Sequence, residues 1–430
     1  MLEGLALVMV VILIFIILVF LQIPVAFSML IACFFYVINA GITLGNIVIR
    51  MNSSIDNVVY LALPFYLIAA EIMNRAGITD RILRVTQSML GFMKGGLAQT
   101  NIVASLIFSG MSGAALADCA GLGKLLIPAM KKRGYSGAFA ASVTAVSSTV
   151  GPIFPPSIPM VIFGAITGTS VGALFVAGVI PGVLMTVFLM LLTLITVHRR
   201  GYEPSKKFDF FEFSKAIKKG FLPLLTPIII LAGIFLGWTS PTEAGAVAIA
   251  YALILGIFIY KTLSFKDIVE GFTQAMHTTV ITLILISFSS GLGWMIILEA
   301  VAKKISIFLG PYATSFLVIM LATNIFLLIA GMFMDPISAM LVFVPVFLPL
   351  VKELGISNIQ FGAIVVVNLM IGMSTPPVGM SLYVTADIAK VSLKSVIRET
   401  LPYYIPLFLT LLVTIIFAGV TTWLPALMIK

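Results

Sequence analysis

The sequence predicts an all-α integral membrane protein organised as two inverted repeats, each holding a re-entrant helical hairpin and a broken helix. Three observations carry this. Of 430 residues, 61% are hydrophobic and 10% are charged, with a mean hydropathy of +1.20. Lys and Arg gather in short clusters between long apolar runs. A set of glycines and prolines that starts at Gly110-Met111 recurs from Gly331-Met332, 221 positions on.

The composition excludes several classes at once. A soluble domain carries about 25% charged residues, so a chain this poor in charge cannot cover soluble domains. A soluble enzyme, a nucleic-acid binder and a disordered chain are thereby excluded, and the partner of most of the surface is the lipid bilayer. The net charge of +9 reads as the basic clusters that orient a membrane protein. Cys33 and Cys119 lie in apolar surroundings and make no disulfide framework. The first apolar run has no basic leader and no small-residue cleavage pattern, so no cleavable signal is expected.

A spanning helix needs about 20 apolar residues. Spans are expected near Leu5–Leu21, Pro24–Ala40 and Val58–Met73, followed by an amphipathic stretch at Ile78–Lys94. Two interrupted runs come next, Leu97–Met130 and Gly137–Ile166, then a clean span at Phe175–Val197. After the polar loop His198–Lys219, spans are expected at Phe221–Trp238, Ala244–Tyr260 and Thr278–Leu298, the last preceded by an amphipathic stretch at Ser264–Met276. Interrupted runs Thr314–Val351 and Gln360–Ile388 follow, and a last span at Pro402–Leu424. The basic 198–219 loop is expected in the cytoplasm. Counting outward places Lys131–Arg133, Lys261, Lys266, Lys390, Lys394 and Arg398 on the same side, and both termini outside. Lys303-Lys304 falls outside, against the rule.

Gly110-Met111, Pro128, Lys131, Gly134, Ser136, Gly151 and Pro155-Pro156 recur as Gly331-Met332, Pro349, Lys352, Gly355, Ser357, Gly372 and Pro376-Pro377. The matched residues are mostly those that set backbone shape. The loop of the first copy (Lys131-Lys132-Arg133) maps inside and that of the second (Lys352-Glu353) outside, so the copies are inverted. Inverted repeats with broken helices are the plan of many secondary transporters, which bind near the membrane midplane between the copies.

The breaks explain what such a site would hold. Each copy reads as a hairpin, tipped by Ser109–Gly113 or by Gly331–Pro336, and a helix interrupted at Ser147–Pro156 or Gly372–Gly379. Adjacent prolines strip carbonyls of their helical partners, and such groups persist at membrane depth only where they line protein or water. Free carbonyls with Ser and Thr hydroxyls are hard oxygen ligands that suit Na⁺. The alternative for each hydroxyl is bonding within its own helix. Half-helix N-termini beyond the breaks favour an anion, which makes Ser148, Thr149, Pro155, Pro156, Pro376 and Pro377 the candidates to face substrate. Of the carboxylates, Asp335 could cap the returning arm or bind an ion. Asp118 has Ala339 as its counterpart, so the repeat gives it no support.

At these residues the chain resembles a known family. Phe108-Ser-Gly-Met-Ser-Gly113, Ala117-Asp118, Leu126–Tyr135, Gly151–Pro159, Gly331–Pro336 and Thr375–Gly379 are similar to the large membrane subunit of the tripartite ATP-independent periplasmic (TRAP) transporters. The likeness covers essentially the whole chain, including Pro24–Phe27 and Pro64–Leu67. It implies Na⁺-coupled uptake of a small organic acid across the bacterial inner membrane by an elevator motion. The implied partners are a periplasmic substrate-binding protein and a separate small four-helix membrane subunit, with Na⁺ as coupling ion and no cofactor. It also implies two Na⁺ sites, one from Ser109, Ser112, Ser147, Gly151 and Pro152, the other from Gly331, Gly372, Ser374 and Thr375. The family more often has an apolar residue at 374 and Asn at 381, where this chain has Ser374 and Ser381. The Ser374 carbonyl is therefore the alternative ligand to its hydroxyl.

The expected organisation is scaffold and first lateral arm at 1–96, first transport repeat at 97–197, and basic loop, scaffold and second arm at 198–312. The second transport repeat follows at 313–400, with a C-terminal helix at 401–430. Enzyme readings fare poorly. Gly121-Leu-Gly-Lys124 lacks the spacing of a phosphate loop, and a Ser112–His277 protease would need the two within hydrogen-bond reach. A binding-protein-independent anion transporter of the same fold is the nearest alternative function.

Overall fold

The computed structural model describes residues 2–21, 23–202, 209–301, 303, 304, 307 and 315–428, apart from the side chains of 2–6, 20 and 109–112. Every regular element among the described residues is helical. The chain opens with α1 (Leu2–Phe20), α2 (Val25–Asn39), α3 (Leu44–Ser54), α4 (Ala62–Arg75) and α5 (Ile78–Leu90). The first repeat holds α6 (Gly96–Ser112), α7 (Ala115–Lys132), α8 (Gly137–Ser147), α9 (Ile158–Thr167) and α10 (Val171–Arg200). Then come α11 (Phe210–Phe235), α12 (Pro241–Ile254) and α13 (Phe265–Leu298). The second repeat holds α14 (Phe316–Phe333), α15 (Pro336–Glu353), α16 (Asn358–Met373), α17 (Met380–Ala389) and α18 (Leu393–Thr400), and α19 (Tyr404–Ile416) and α20 (Gly419–Met428) close the chain. Among the described residues, eight helical segments are long and apolar enough to cross a membrane, which makes this a multi-pass membrane protein.

The repeat read from sequence is a repeat of structure. α7 and α15 begin at 115 and 336 and end at 132 and 353, and α8 and α16 begin at 137 and 358, each pair 221 apart. Ser136 Oγ accepts the Phe139 N–H at 3.1 Å and caps α8; Ser357 Oγ accepts the Gln360 N–H at 3.1 Å and caps α16. Both Pro-Pro bonds, Pro155-Pro156 and Pro376-Pro377, are cis. The copies also interlock. α7 packs on α8 of its own copy and on α17 of the other, while α15 packs on α16 of its own copy and on α9 of the other. This crossed pairing is what a two-fold relation between the copies requires.

Four details differ from the expectation. The polar segment before α4 contains a helix, α3, whose apolar residues Ile47 and Met51 are buried. The amphipathic stretch before Thr278 is not separate: capped by a Ser264–Asp267 box, it runs unbroken into the span as the 34-residue α13. The stretch at Ile78–Lys94 forms helix only to Leu90. The last span is broken at Phe417, which leaves the helical region (φ −105°, ψ 88°) between α19 and α20.

Contacts group the charges as expected. Lys131 Nζ donates to the Ala389 carbonyl at 2.8 Å, the Ser136 N–H to the Tyr202 hydroxyl at 3.2 Å, and Arg200 pairs with Glu399 at 2.7 Å. Three segments placed on one side by their charges therefore share one end of the molecule. The exception, Lys304, is paired: its Nζ lies 3.0 Å from Glu299, whose other oxygen accepts the Tyr36 hydroxyl at 2.9 Å. The Lys304 and Tyr36 hydrogen bonds hold the Glu299 carboxyl below its usual range.

Candidate functional site

The tips and breaks meet because the copies interlock. At the first tip, Gly113 turns the chain at φ +58°, a conformation that costs glycine nothing. A Cβ there would stand 3.0 Å from the Pro156 carbonyl and 3.2 Å from the Ile158 nitrogen, so the tip is pressed onto the first break. At the second tip Asp335 caps α15. Its Oδ1 accepts the N–H of Ile337 at 3.0 Å and of Ser338 at 3.1 Å, and its Oδ2 accepts the Ser338 hydroxyl. The capping role of Asp335 is thus on display.

These parts line a half-open cavity of about 130 Å³. Its walls are Gly113–Leu116 and Asp335–Ile337 from the tips, Pro152, Ile158 and Pro159 from the first broken helix, and Met370 and Met373 from the end of α16. Leu63 and Leu67 of α4 and Thr278 and Thr282 of α13 close it from the segments expected to be scaffold. Three helix N-termini, those of α7, α9 and α15, line this one space. Asp335 occupies the α15 end, Ser157 caps α9, and the α7 end begins at Ala114, which has no polar side chain.

The first set of candidates divides. Ser147 is fully buried; its Oγ accepts the Ser105 hydroxyl at 3.0 Å and lies 3.2 Å from the Thr144 carbonyl and 3.4 Å from Asn101 Oδ1. Asn101 in turn donates to Thr144 Oγ1 at 2.6 Å. Gly151 lies against the buried Asp118: a Cβ there would sit 2.5 Å from Asp118 Oδ2. The carboxylate that the repeat left unsupported is therefore at the first break. The Pro152 carbonyl accepts the Ser157 hydroxyl. α6 carries Ser109 and Ser112 to its last turn, and their side chains lie outside the described residues.

The second set is packed differently. Gly331 and Gly372 cross backbone to backbone; a Cβ on Gly372 would stand 2.8 Å from Gly331 Cα. Ser374 Oγ donates to the Ile371 carbonyl at 3.0 Å and Thr375 Oγ1 to the same carbonyl at 2.6 Å. The Ser374 carbonyl accepts the Tyr404 hydroxyl at 2.8 Å, and Ser381 Oγ donates to the Met373 carbonyl at 3.2 Å. The Ser374 and Thr375 hydroxyls each donate to the carbonyl of the preceding turn. Donation spends only the hydrogen, and the oxygen lone pairs remain as acceptors.

The substrate candidates do not line the cavity. Ser148 Oγ donates to the Ala145 carbonyl at 2.8 Å and lies 2.9 Å from Cys119 Sγ; Thr149 Oγ1 donates to the Val146 carbonyl at 2.7 Å. Pro155 and Pro156 are buried, Pro376 is half-buried and Pro377 is exposed. Of the tips, breaks and carboxylates picked from sequence, Gly113, Pro152, Asp335, Pro336 and Met373 reach the cavity wall among the described residues. The sequence reading missed Asn101, Asn324 and Asn368. Asn368 Nδ2 donates to Asn324 Oδ1 at 2.7 Å, joining α14 to α16 as Asn101 joins α6 to α8. Ser147 and Asn368 are 221 apart, a polar pair at matched positions that the offset held but identity alone did not reveal.

Comparisons with known proteins agree with this geometry. A Vibrio cholerae protein, the large permease protein of a sialic acid TRAP transporter, is 38% identical over 411 residues, covering 95% of this chain and 96% of that protein. The large permease protein of a C4-dicarboxylate TRAP transporter from Pseudomonas aeruginosa is 32% identical over 381 residues, 89% of this chain and 88% of its own. The crystal structure of the Alcanivorax borkumensis YdaH transporter superposes with a TM-score of 0.60 at 18% identity over 87% of both chains, a likeness of fold. Residues 12–420 match the DctM component of the tripartite ATP-independent periplasmic transporters. With interlocked repeats, paired breaks and these relatives, the chain belongs to the large-permease family of the tripartite ATP-independent periplasmic transporters.

Proposed function

We propose that this chain is the membrane pathway for Na⁺-coupled uptake of a small organic acid across a bacterial inner membrane. A soluble binding protein delivers the substrate, a small membrane subunit braces the chain, and the repeat body moves past α4 and α13 as an elevator. The observation that carries the reading is the cavity where both hairpin tips, the first break and the end of α16 meet α4 and α13. Its position at the seam between repeat body and scaffold suits a site that changes sides when one slides on the other. The N-termini of α7 and α9 turn their positive ends toward it, which favours a carboxylate. The oxygen-rich breaks nearby, Ser147 beside Gly151 and Ser374 beside Thr375, suit Na⁺, whose charge offsets that of the substrate.

The relatives named for sialic acid and C4-dicarboxylates support a small organic acid as the substrate class. The test is uptake into proteoliposomes holding the chain with its small subunit, with and without a binding protein and an inward Na⁺ gradient. Uptake is expected only when both are present. Uptake by the membrane part alone would overturn the tripartite reading in favour of a self-sufficient anion transporter, and uptake indifferent to Na⁺ would overturn the coupling.

A further inference from the structure

A second, larger cavity lies away from the tips. It has a volume of about 640 Å³, within the range of about 300–1,000 Å³ typical of ligand sites. α5 contributes Asp80, Arg81 and Arg84, the first turns of α11 contribute Glu212, Lys215 and Lys219, and the connection between α12 and α13 contributes Tyr260 and Thr262. Four cationic side chains face two carboxylates, so the cleft is net positive.

Its walls are built. The Arg81 guanidinium carbon stands 3.7 Å from the centroid of the Tyr260 ring, and Nη1 donates to the carbonyls of Gly77 at 2.7 Å and Ala76 at 3.2 Å. The Tyr260 hydroxyl donates to the Lys219 carbonyl at 3.3 Å, and Thr262 Oγ1 to the Ala76 carbonyl at 2.9 Å. Arg81 is thereby locked, with its charge held at the cleft wall. Arg84, Lys215 and Lys219 form no ion pair among the described residues.

Close in sequence to these lining residues, large aromatic side chains are exposed: Phe210 73%, Phe211 75%, Phe258 70% and Phe265 81%. Basic residues interleaved with exposed aromatics at a helix start mark the membrane–water interface. The charge pattern places this end in the cytoplasm. A basic cleft between membrane helices on that side suits a lipid phosphate. The two carboxylates disfavour a bare inorganic dianion and suit a headgroup that carries hydroxyl donors beside its phosphate.

We propose that this cleft binds the phosphate and glycerol of an anionic phospholipid headgroup of the phosphatidylglycerol type, clamped between α5 and α11. The test is native mass spectrometry of the full chain released from nanodiscs of equimolar phosphatidylglycerol and phosphatidylethanolamine. Wild type is expected to retain phosphatidylglycerol selectively. The triple variant Arg84→Gln/Lys215→Gln/Lys219→Gln, all three exposed, is expected to retain it at least about tenfold less. Lys218→Gln, on the same helix but outside the cleft, is expected to behave as wild type. If the triple variant does not elute as a single species, Arg84→Gln alone is measured and is expected to weaken retention severalfold. Equal retention of the two lipids by wild type, or unchanged retention by the variants, would overturn the proposal. In a parallel thermal-shift arm, inorganic phosphate that stabilised the chain as much as the lipid would also overturn it, assigning the cleft to a free anion.

Discussion

The two copies share a backbone and differ in what fills it. In the first copy the break is buried from Ser147 to Pro152, and a side chain, the Asp118 carboxylate, rests on Gly151. In the second, Gly372 rests on the backbone of Gly331, and the chain beyond it opens to solvent or lipid at Pro377. The first copy leaves the α-helix early, with a 3₁₀ turn at Ser148–Val150, whereas the second stays α-helical to Met373. Prolines and glycines thus dictate where a broken helix bends, while the side chains beside the bend decide whether it is filled or open. One copy has been given the buried carboxyl group and the other the exposed loop.

This contrast can be broken experimentally. Gly372→Ala has the largest expected effect, because a methyl 2.8 Å from Gly331 Cα can be relieved only by moving backbone. A loss at the upper end of the ~1–3 kcal/mol typical of overpacking is expected, read as a lower melting temperature in detergent. Gly151→Ala should cost less, since its clash is with a carboxylate that can turn away. Adding Asp118→Ala should recover the melting temperature of Gly151→Ala, and no recovery would mean that the carboxylate is not what fills the first break. Next, Asn368→Ala and Ser147→Ala remove matched polar groups. Asn368→Ala breaks bonds to Asn324 at 2.7 and 2.9 Å and should cost about 1–3 kcal/mol, more than Ser147→Ala, whose contacts run from 3.0 to 3.4 Å. The reverse order in chemical denaturation would show the first copy to be the tighter.

Smaller effects sharpen the picture at the edges. Asp335→Ala should cost about 0.5–2 kcal/mol as a lost N-cap, with Asp335→Asn closer to wild type. A loss of Na⁺-driven uptake in both, at unchanged stability, would mean that the charge itself is needed. Glu299 should give the smallest shift. Its carboxyl is held below the usual range by Lys304, so its contribution is present above about pH 4.3, the unfolded value, and fades as pH falls through the folded one. Glu299→Gln should cost about 0.2–1 kcal/mol at neutral pH and nothing at low pH, measured as melting temperature against pH.

What was legible in the sequence was whatever glycine and proline control. The 221-residue offset, the matching helix starts and the two Pro-Pro breaks follow from residue types whose backbone preferences survive any packing. Contacts between distant segments were not legible. Asp118 reaches Gly151 only because α7 lies beside α8, and nothing in either segment alone says so. α3 was missed because its polar face hides the pair Ile47 and Met51, and the break at Phe417 was missed because no glycine or proline occupies it. The surroundings of Ser148 and Thr149 were not legible either. Hydroxyls near a break look available in sequence, but here both bond to the preceding turn.

The crossed packing of α7 with α17 and of α15 with α9 has a consequence for the chain's divisibility. Neither copy is a module. Severed in the polar segment after α10, the first copy would present α7 without α17, and the second would present α15 without α9. Each fragment would expose the face its absent partner fills. Two fragments synthesised separately could recover the fold only by threading into one another inside the bilayer, in opposite orientations. A single copy acting alone would have to complete itself with an upside-down twin.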